Sequence, residues 1–157
     1  MISLPDAAAT GRAGAALARL VRGGDAIALV GDLGAGKTTL VAGLVAELGG
    51  GAAASPTFSL VNEYPAGRPG GLIVWHVDLY RIERAAELVE LGLDDVIGDR
   101  RGIVIVEWAD RFAVLPPDHL RVELAHAGDR RTLGATGTGA RGAELASALA
   151  RELVGSG

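Results

Sequence analysis

The chain has 157 residues, 49% of them hydrophobic, with a formal net charge of −4 and an isoelectric point near 5.3. That length fits one domain, residues 1–157, with a full core. The lack of cysteine excludes a disulfide framework and any thiolate metal site or nucleophile. No apolar run approaches the ~18 residues of a membrane span, no basic-then-apolar leader opens the chain, and the acidic balance argues against broad nucleic-acid binding, so a cytoplasmic protein without a membrane is expected.

In chain order, residues 1–4 are short and apolar and are broken by Pro5 and Asp6. Asp6 is placed to cap a helix over 7–21, whose Leu17, Leu20 and Val21 share one side, and Gly23 and Gly24 stop it. Residues 26–30 read A-I-A-L-V, the short apolar run of a buried parallel strand. Residues 31–38 read G-D-L-G-A-G-K-T, the G-x-x-x-x-G-K-[ST] phosphate-loop pattern. Leu40, Leu44 and Leu48, with Val41 and Val45 beside them, give the following helix one apolar stripe. The order is strand, glycine loop, helix, as the pattern requires.

Residues 55–64 carry a strand-like run, 65–71 are turn-rich, and 72–80 form a second strand. The pair reads as an antiparallel hairpin with a loop of about five to seven residues. A helix over 83–91 stops at Gly92, and 94–98 give a short further turn. Residues 102–108 are a buried strand ending in Glu107. After the Leu-Pro-Pro break at 115–117, residues 119–127 alternate Leu120, Val122 and Leu124 inward with Arg121 and Glu123 outward. Gly128 and Asp129 turn the chain, 131–138 return, and 140–154 form an amphipathic helix with Leu145, Leu149 and Leu153. These elements predict an α/β fold: a P-loop NTPase-type three-layer sandwich whose mixed central sheet has antiparallel edge hairpins.

The chemistry follows from residue types. Loop glycines let successive N–H groups point into one hollow, and the helix behind aims its positive end there. Lys37 reaches the β- and γ-phosphates, and the Thr38 hydroxyl ligates Mg²⁺. Of fifteen basic residues fourteen are arginine, and Lys37 is the only lysine, a compact ammonium kept where a planar guanidinium fits poorly. A strand-end acid must complete the site. Glu107 follows the cleaner apolar run and is preferred on the Mg²⁺ side. Asp78 is the second candidate, as a metal-shell group or a water-polarising base. For both, the plain alternative is a strand-end carboxylate paired with an arginine. Trp108 either covers the nucleotide or packs in the core. His76 sits in an apolar strand, where a packed histidine is commoner than a catalytic one. Arg81 is a phosphate contact, a partner contact or a surface ion pair. Wide histidine spacing argues against zinc. With its only lysine in the loop, the chain has no Asn/Thr-Lys-x-Asp guanine element, which favours adenine.

Taken together, 31–39 (G-D-L-G-A-G-K-T-T), 55–58 (S-P-T-F), 76–81 (H-V-D-L-Y-R), 87–93 (E-L-V-E-L-G-L), 106–108 (V-E-W) and 4–6 (L-P-D) resemble the TsaE family, small P-loop ATPases of bacterial tRNA threonylcarbamoyladenosine synthesis. The resemblance runs over roughly residues 4–116, and the C-terminal hairpin and helix match only in layout. It implies ATP and ADP as ligands, Mg²⁺ as cofactor, the TsaB–TsaD heterodimer as partner, and tRNA engaged indirectly through that complex. It places Asp32, Leu33, Gly34, Ala35, Gly36, Lys37, Thr38 and Thr39 around the phosphates. Thr38 and Glu107 would bind Mg²⁺, with Lys37, Asp78 and Glu107 as the catalytic set. Residues 55–58 would form a switch near the γ-phosphate, and Asp6, Ala7 and Trp108 would lie near the base. The chain offers no evident arginine finger, so slow hydrolysis alone and completion by partners are expected. Two rivals remain: a small-molecule kinase, with 99–102 (D-R-R-G) as a thin lid candidate, and a non-catalytic nucleotide-dependent docking switch.

Overall fold

The computed structural model describes residues 1–50 and 60–156. In order these form β1 (Ile2–Leu4), α1 (Ala7–Leu20), β2 (Ala26–Val30), α2 (Lys37–Glu47), β3 (Val61–Tyr64) and β4 (Ile73–Asp78). There follow α3 (Ala86–Glu90), α4 (Leu93–Val96), β5 (Gly102–Glu107), a 3₁₀ turn (Ala109–Arg111), β6 (His119–Ala127), β7 (Arg130–Thr138) and α5 (Gly139–Gly155). One 7-stranded sheet has the order β1-β7-β6-β2-β5-β4-β3. Its centre, β6-β2-β5-β4, is parallel, while β3 on one edge and β7 and β1 on the other pair antiparallel. This is the mixed sheet with antiparallel edge hairpins that the sequence predicts.

The central strands are apolar throughout because both faces are covered. β5 is buried along its length. Ile103 and Ile105 pack with α1, α2 and α5, whereas Val104 and Val106 pack with Leu88, Leu93 and Val96 from α3 and α4 on the other face. Three layers result, and α1 sets the place of α2. A Cβ at Gly14 would lie 2.0 Å from the Leu40 carbonyl oxygen, and one at Gly43 would lie 2.1 Å from that of Gly11. Only glycine at these two contacts lets the helices meet so closely.

Several expected bounds shift. Residues 2–4 form a strand, β1, paired Ile2↔Leu133 through Leu4↔Arg131, which three residues are too short to announce by alternation. The helix expected over 83–91 is confined to Ala86–Glu90, and the turn expected at 94–98 is the short helix Leu93–Val96, with Gly92 between them at φ +67. The β3–β4 connection is residues 65–72, one longer than the expected upper bound. The S-P-T-F segment at 55–58 lies outside the described residues.

The C-terminal helix is held by charge as well as by Leu145 and Leu149. The Asp118 carboxylate caps α5, accepting from the Gly142 N–H at 2.7 Å. The Arg141 guanidinium donates to both Asp25 oxygens at 3.0 and 2.8 Å and to the Leu20 carbonyl at 2.9 Å. The bonded Asp25 carboxylate raises Arg141 further above its already high pKa. The pair ties α5 to the end of α1 and the start of β2.

Candidate functional site

Strand β2 runs into the glycine loop, and the loop runs into α2. Gly36 supplies the turn: its φ of +106 is open to glycine and strained for other residues. Lys37 is the first residue of α2 and is buried, 9% exposed. Its ammonium donates to the carbonyls of Gly31 and Asp32, the latter at 3.4 Å. It also lies 3.9 Å from Glu107 Oε1 and 5.2 Å from the centroid of the Trp108 ring.

The acids reach this point through strand register. Asp78 of β4 is paired with Glu107 of β5, so both sit at the carboxyl ends of neighbouring parallel strands. The period of two puts His76 and Asp78 on one face of β4, the face of Val74, which packs towards α1 and α2. Glu107 shares the corresponding face of β5 with Ile103 and Ile105. Its Oε2 lies 2.7 Å from His76 Nε2, and both side chains are about nine-tenths buried. Asp78 is exposed, and its Oδ1 accepts from the Tyr80 N–H at 2.9 Å. Trp108 follows at φ +61, the one non-glycine residue with positive φ among the described residues. That turn lays its indole beside Lys37 and against Tyr80, ring centroids 5.2 Å apart. Arg111 donates to the Tyr80 carbonyl and braces the same corner.

These groups line one cavity of about 560 Å³, with Leu33, Gly34, Gly36, Lys37, Thr38, Thr39, Asp78, Tyr80, Glu107 and Trp108 in its walls. An ammonium, a helix N-terminus and a hydroxyl face two carboxylates across it, the apolar wall being Trp108 and Tyr80. The arrangement can take a polyanion on the loop and a hard cation beside it. Thr38, Glu107 and Asp78 offer the oxygen donors that suit Mg²⁺, which binds through one or two carboxylates and keeps several waters.

Other expected residues fall elsewhere. Asp6 and Ala7 line a second cavity of about 160 Å³ with Thr10, Asp129 and Arg131, which meets the first only at Gly34, Gly36 and Thr39. The two cavities are thus neighbours on the glycine loop, with the Trp108 ring in the wall of the first, at the lysine end. One oxygen of Asp6 is already used as the α1 cap, accepting from the Ala9 N–H at 2.7 Å. Asp32 lines a third cavity, behind Trp108, and Ala35 is fully buried within the loop. Arg81 is exposed and is not in the main cavity wall. Glu87, in the E-L-V-E-L-G-L stretch, accepts from the N–H groups of Arg84 and Glu83 at 3.0 and 2.8 Å, which lowers its carboxyl below the usual range.

Three residues escaped the sequence reading. Tyr80 joins the cavity wall. Arg131 donates to the Gly34 carbonyl at 3.3 Å, and His126 Nε2 lies 3.4 Å from that of Leu33, so the unmarked C-terminal hairpin braces the loop. No local spacing signals contacts 93 and 97 residues apart. The link between His76 and Glu107 had a weak signal, since H-x-D puts His76 on the face of Asp78.

A model of the TsaE family, threonylcarbamoyl adenosine biosynthesis protein TsaE, matches residues 4–133. The Streptomyces coelicolor tRNA threonylcarbamoyladenosine biosynthesis protein TsaE is 41% identical over 136 residues, covering 82% of this chain and 90% of that protein. The Bacillus subtilis protein of the same name is 38% identical over 137 residues, covering 85% and 83%. The crystal structure of Bacillus subtilis YdiB superposes with a TM-score of 0.75 at 32% identity, covering 93% of this chain and 90% of that one.

Proposed function

The chain belongs to the TsaE family, and from that membership we propose that it is the ATP-binding and ATP-hydrolysing subunit of tRNA threonylcarbamoyladenosine biosynthesis, dependent on Mg²⁺ and acting in the cytoplasm with the TsaB–TsaD heterodimer. The observation that carries the ATPase part is convergence: Lys37 and Thr38 from α2, Asp78 from β4 and Glu107 from β5 all line one cavity.

In this reading the N–H groups of the loop and the first turn of α2 hold the phosphates. Lys37 would neutralise their charge. Thr38 and Glu107 would hold Mg²⁺, with Asp78 beside them. When bound, that ion neutralises charge on the β- and γ-phosphate oxygens. Asp78, exposed at the cavity rim, accepts a hydrogen bond from the attacking water and aligns it with the γ-phosphorus. Trp108 and Tyr80 keep bulk water off one wall. Adenine rather than guanine is expected, because the only lysine is already at the phosphates.

Among the described residues no arginine lines the main cavity. Transition-state charge on the γ-phosphoryl group then lacks a cationic finger, a part worth about 10³–10⁵ in rate where present. The purified chain should hydrolyse ATP slowly, and TsaB–TsaD with tRNA should accelerate it. ATPase measured with and without these partners tests this. Fast turnover by the chain alone, unchanged by the partners, overturns the partner requirement. Lys37→Ala should abolish nucleotide binding, and unaltered ATPase in that variant overturns the site.

A further inference from the structure

His76 is a polar group with its side chain only 10% exposed, and the mechanism above does not draw on it. Its Nε2 lies 2.7 Å from Glu107 Oε2, while Glu107 Oε1 faces Lys37 at 3.9 Å. A carboxylate is an acceptor only, so the imidazole nitrogen donates. The two oxygens of Glu107 thus have separate surroundings. Oε2 is bound to β4 through His76, and Oε1 is left on the side of Lys37 and the cavity. A glutamate has three rotatable side-chain bonds, and at a strand end it can swing unless something holds it. Residue 76 is placed to do so: strand alternation puts it on the same face of β4 as Asp78, two register pairs below Asp78↔Glu107.

We propose that His76 is the positioning residue for Glu107: by donating from Nε2 to Oε2 it fixes the carboxylate rotamer, so that Oε1 alone is presented to the metal side of the site. This rests on the reading of Glu107 as a Mg²⁺-side acid. Outer partners that orient ligating groups are typically worth about 10–100-fold in metal affinity or activity. His76 is not in the wall of the main cavity, so its removal acts through Glu107 and spares the loop.

The test is the affinity of the full-length chain for ADP, by titration calorimetry, with Mg²⁺ varied from none to saturating. In His76→Leu the Mg²⁺ concentration needed for half of the Mg²⁺-dependent gain should rise about 10–100-fold, with ADP affinity in Mg²⁺-free buffer unchanged. His76→Gln, whose amide can still donate near the Nε2 position, should recover the response to within about threefold of the unsubstituted chain. If His76→Leu does not fold, His76→Asn, polar but too short to reach Oε2, takes its place. An unchanged Mg²⁺ titration in the Leu or Asn variant overturns the proposal. Equal loss in the Gln variant overturns it as well, because the donor is then irrelevant. A fall in Mg²⁺-free ADP affinity matching the fall with Mg²⁺ makes His76 a packing residue and also overturns it. An unsubstituted chain that binds ADP without regard to Mg²⁺ refutes the metal reading itself, a failure distinct from the other three.

Discussion

Removing the Arg141 side chain asks how much the C-terminal helix owes to one ion pair. In Arg141→Ala, Asp25 loses two charge-assisted bonds, at 3.0 and 2.8 Å, and among the described residues keeps only the Arg22 N–H at 2.8 Å. Its side chain is 5% exposed but borders a cavity that Arg141 also lines, so water replaces only part of what is lost. Breaking a buried pair from one side costs about 3–5 kcal/mol, because a charge is left uncompensated. Arg141 is itself 18% exposed, which argues for the lower end, about 3 kcal/mol. For a chain of this size each kcal/mol moves the melting temperature by roughly 2–4 °C, so a fall of about 6–12 °C is expected. Circular dichroism melts measure it. The double variant Asp25→Leu with Arg141→Met removes both charges, and most of the loss should return. ADP affinity of the folded protein should hold within about twofold, because Asp25 and Gly31 lie at opposite ends of β2, roughly 20 Å apart at strand rise. A single variant melting within 2 °C of the parent, or a double variant as unstable as the single, refutes the reasoning.

Further outcomes are expected from other contacts. Gly14→Ala drives a methyl to within 2.0 Å of the Leu40 carbonyl, so α2 must shift; about 1–3 kcal/mol should be lost in denaturant melts, together with ADP affinity, since α2 carries Lys37. Gly11→Ala in the same helix meets open space and should instead gain about 0.5–1 kcal/mol, so equal losses at both positions would refute the packing argument. Glu107→Ala should remove Mg²⁺-dependent hydrolysis while Mg²⁺-free ADP binding persists; hydrolysis retained with a normal Mg²⁺ titration would count against its assignment. Glu87 has a lowered carboxyl pKa caused first by the Arg84 N–H and then by the Glu83 N–H. Its stabilising contribution is present above the ordinary glutamate value and disappears as pH falls through the lowered one. Amide shifts of Glu83 and Arg84 should titrate in that lower window in an NMR pH series, and the titration should vanish in Glu87→Gln.

Much of the site was legible because its central part is contiguous. Residues 26–48 hold a strand, a turn that only glycine can make at φ +106, and an apolar helix, and each is specified by neighbours within a few positions. The same holds for the Asp6 cap, the strand ending at Glu107 and the two edge hairpins. That Asp78 and Glu107 meet Lys37 in one cavity follows from strand ends, since ligands collect at the carboxyl edge of parallel strands.

What needed the tertiary structure was adjacency. Local pattern says that residues 73–78 and 102–107 are strands, but it does not say that they lie side by side with β2, which is what carries both acids to Lys37. The His76–Glu107 bond spans 31 residues, Arg131 reaches Gly34 across 97, and Arg141 reaches Asp25 across 116. Periodicity and turn chemistry act over a few residues along the chain. Strand order and side-chain pairing are decided by which buried faces and charges find partners across the fold, and that is a property of the whole chain.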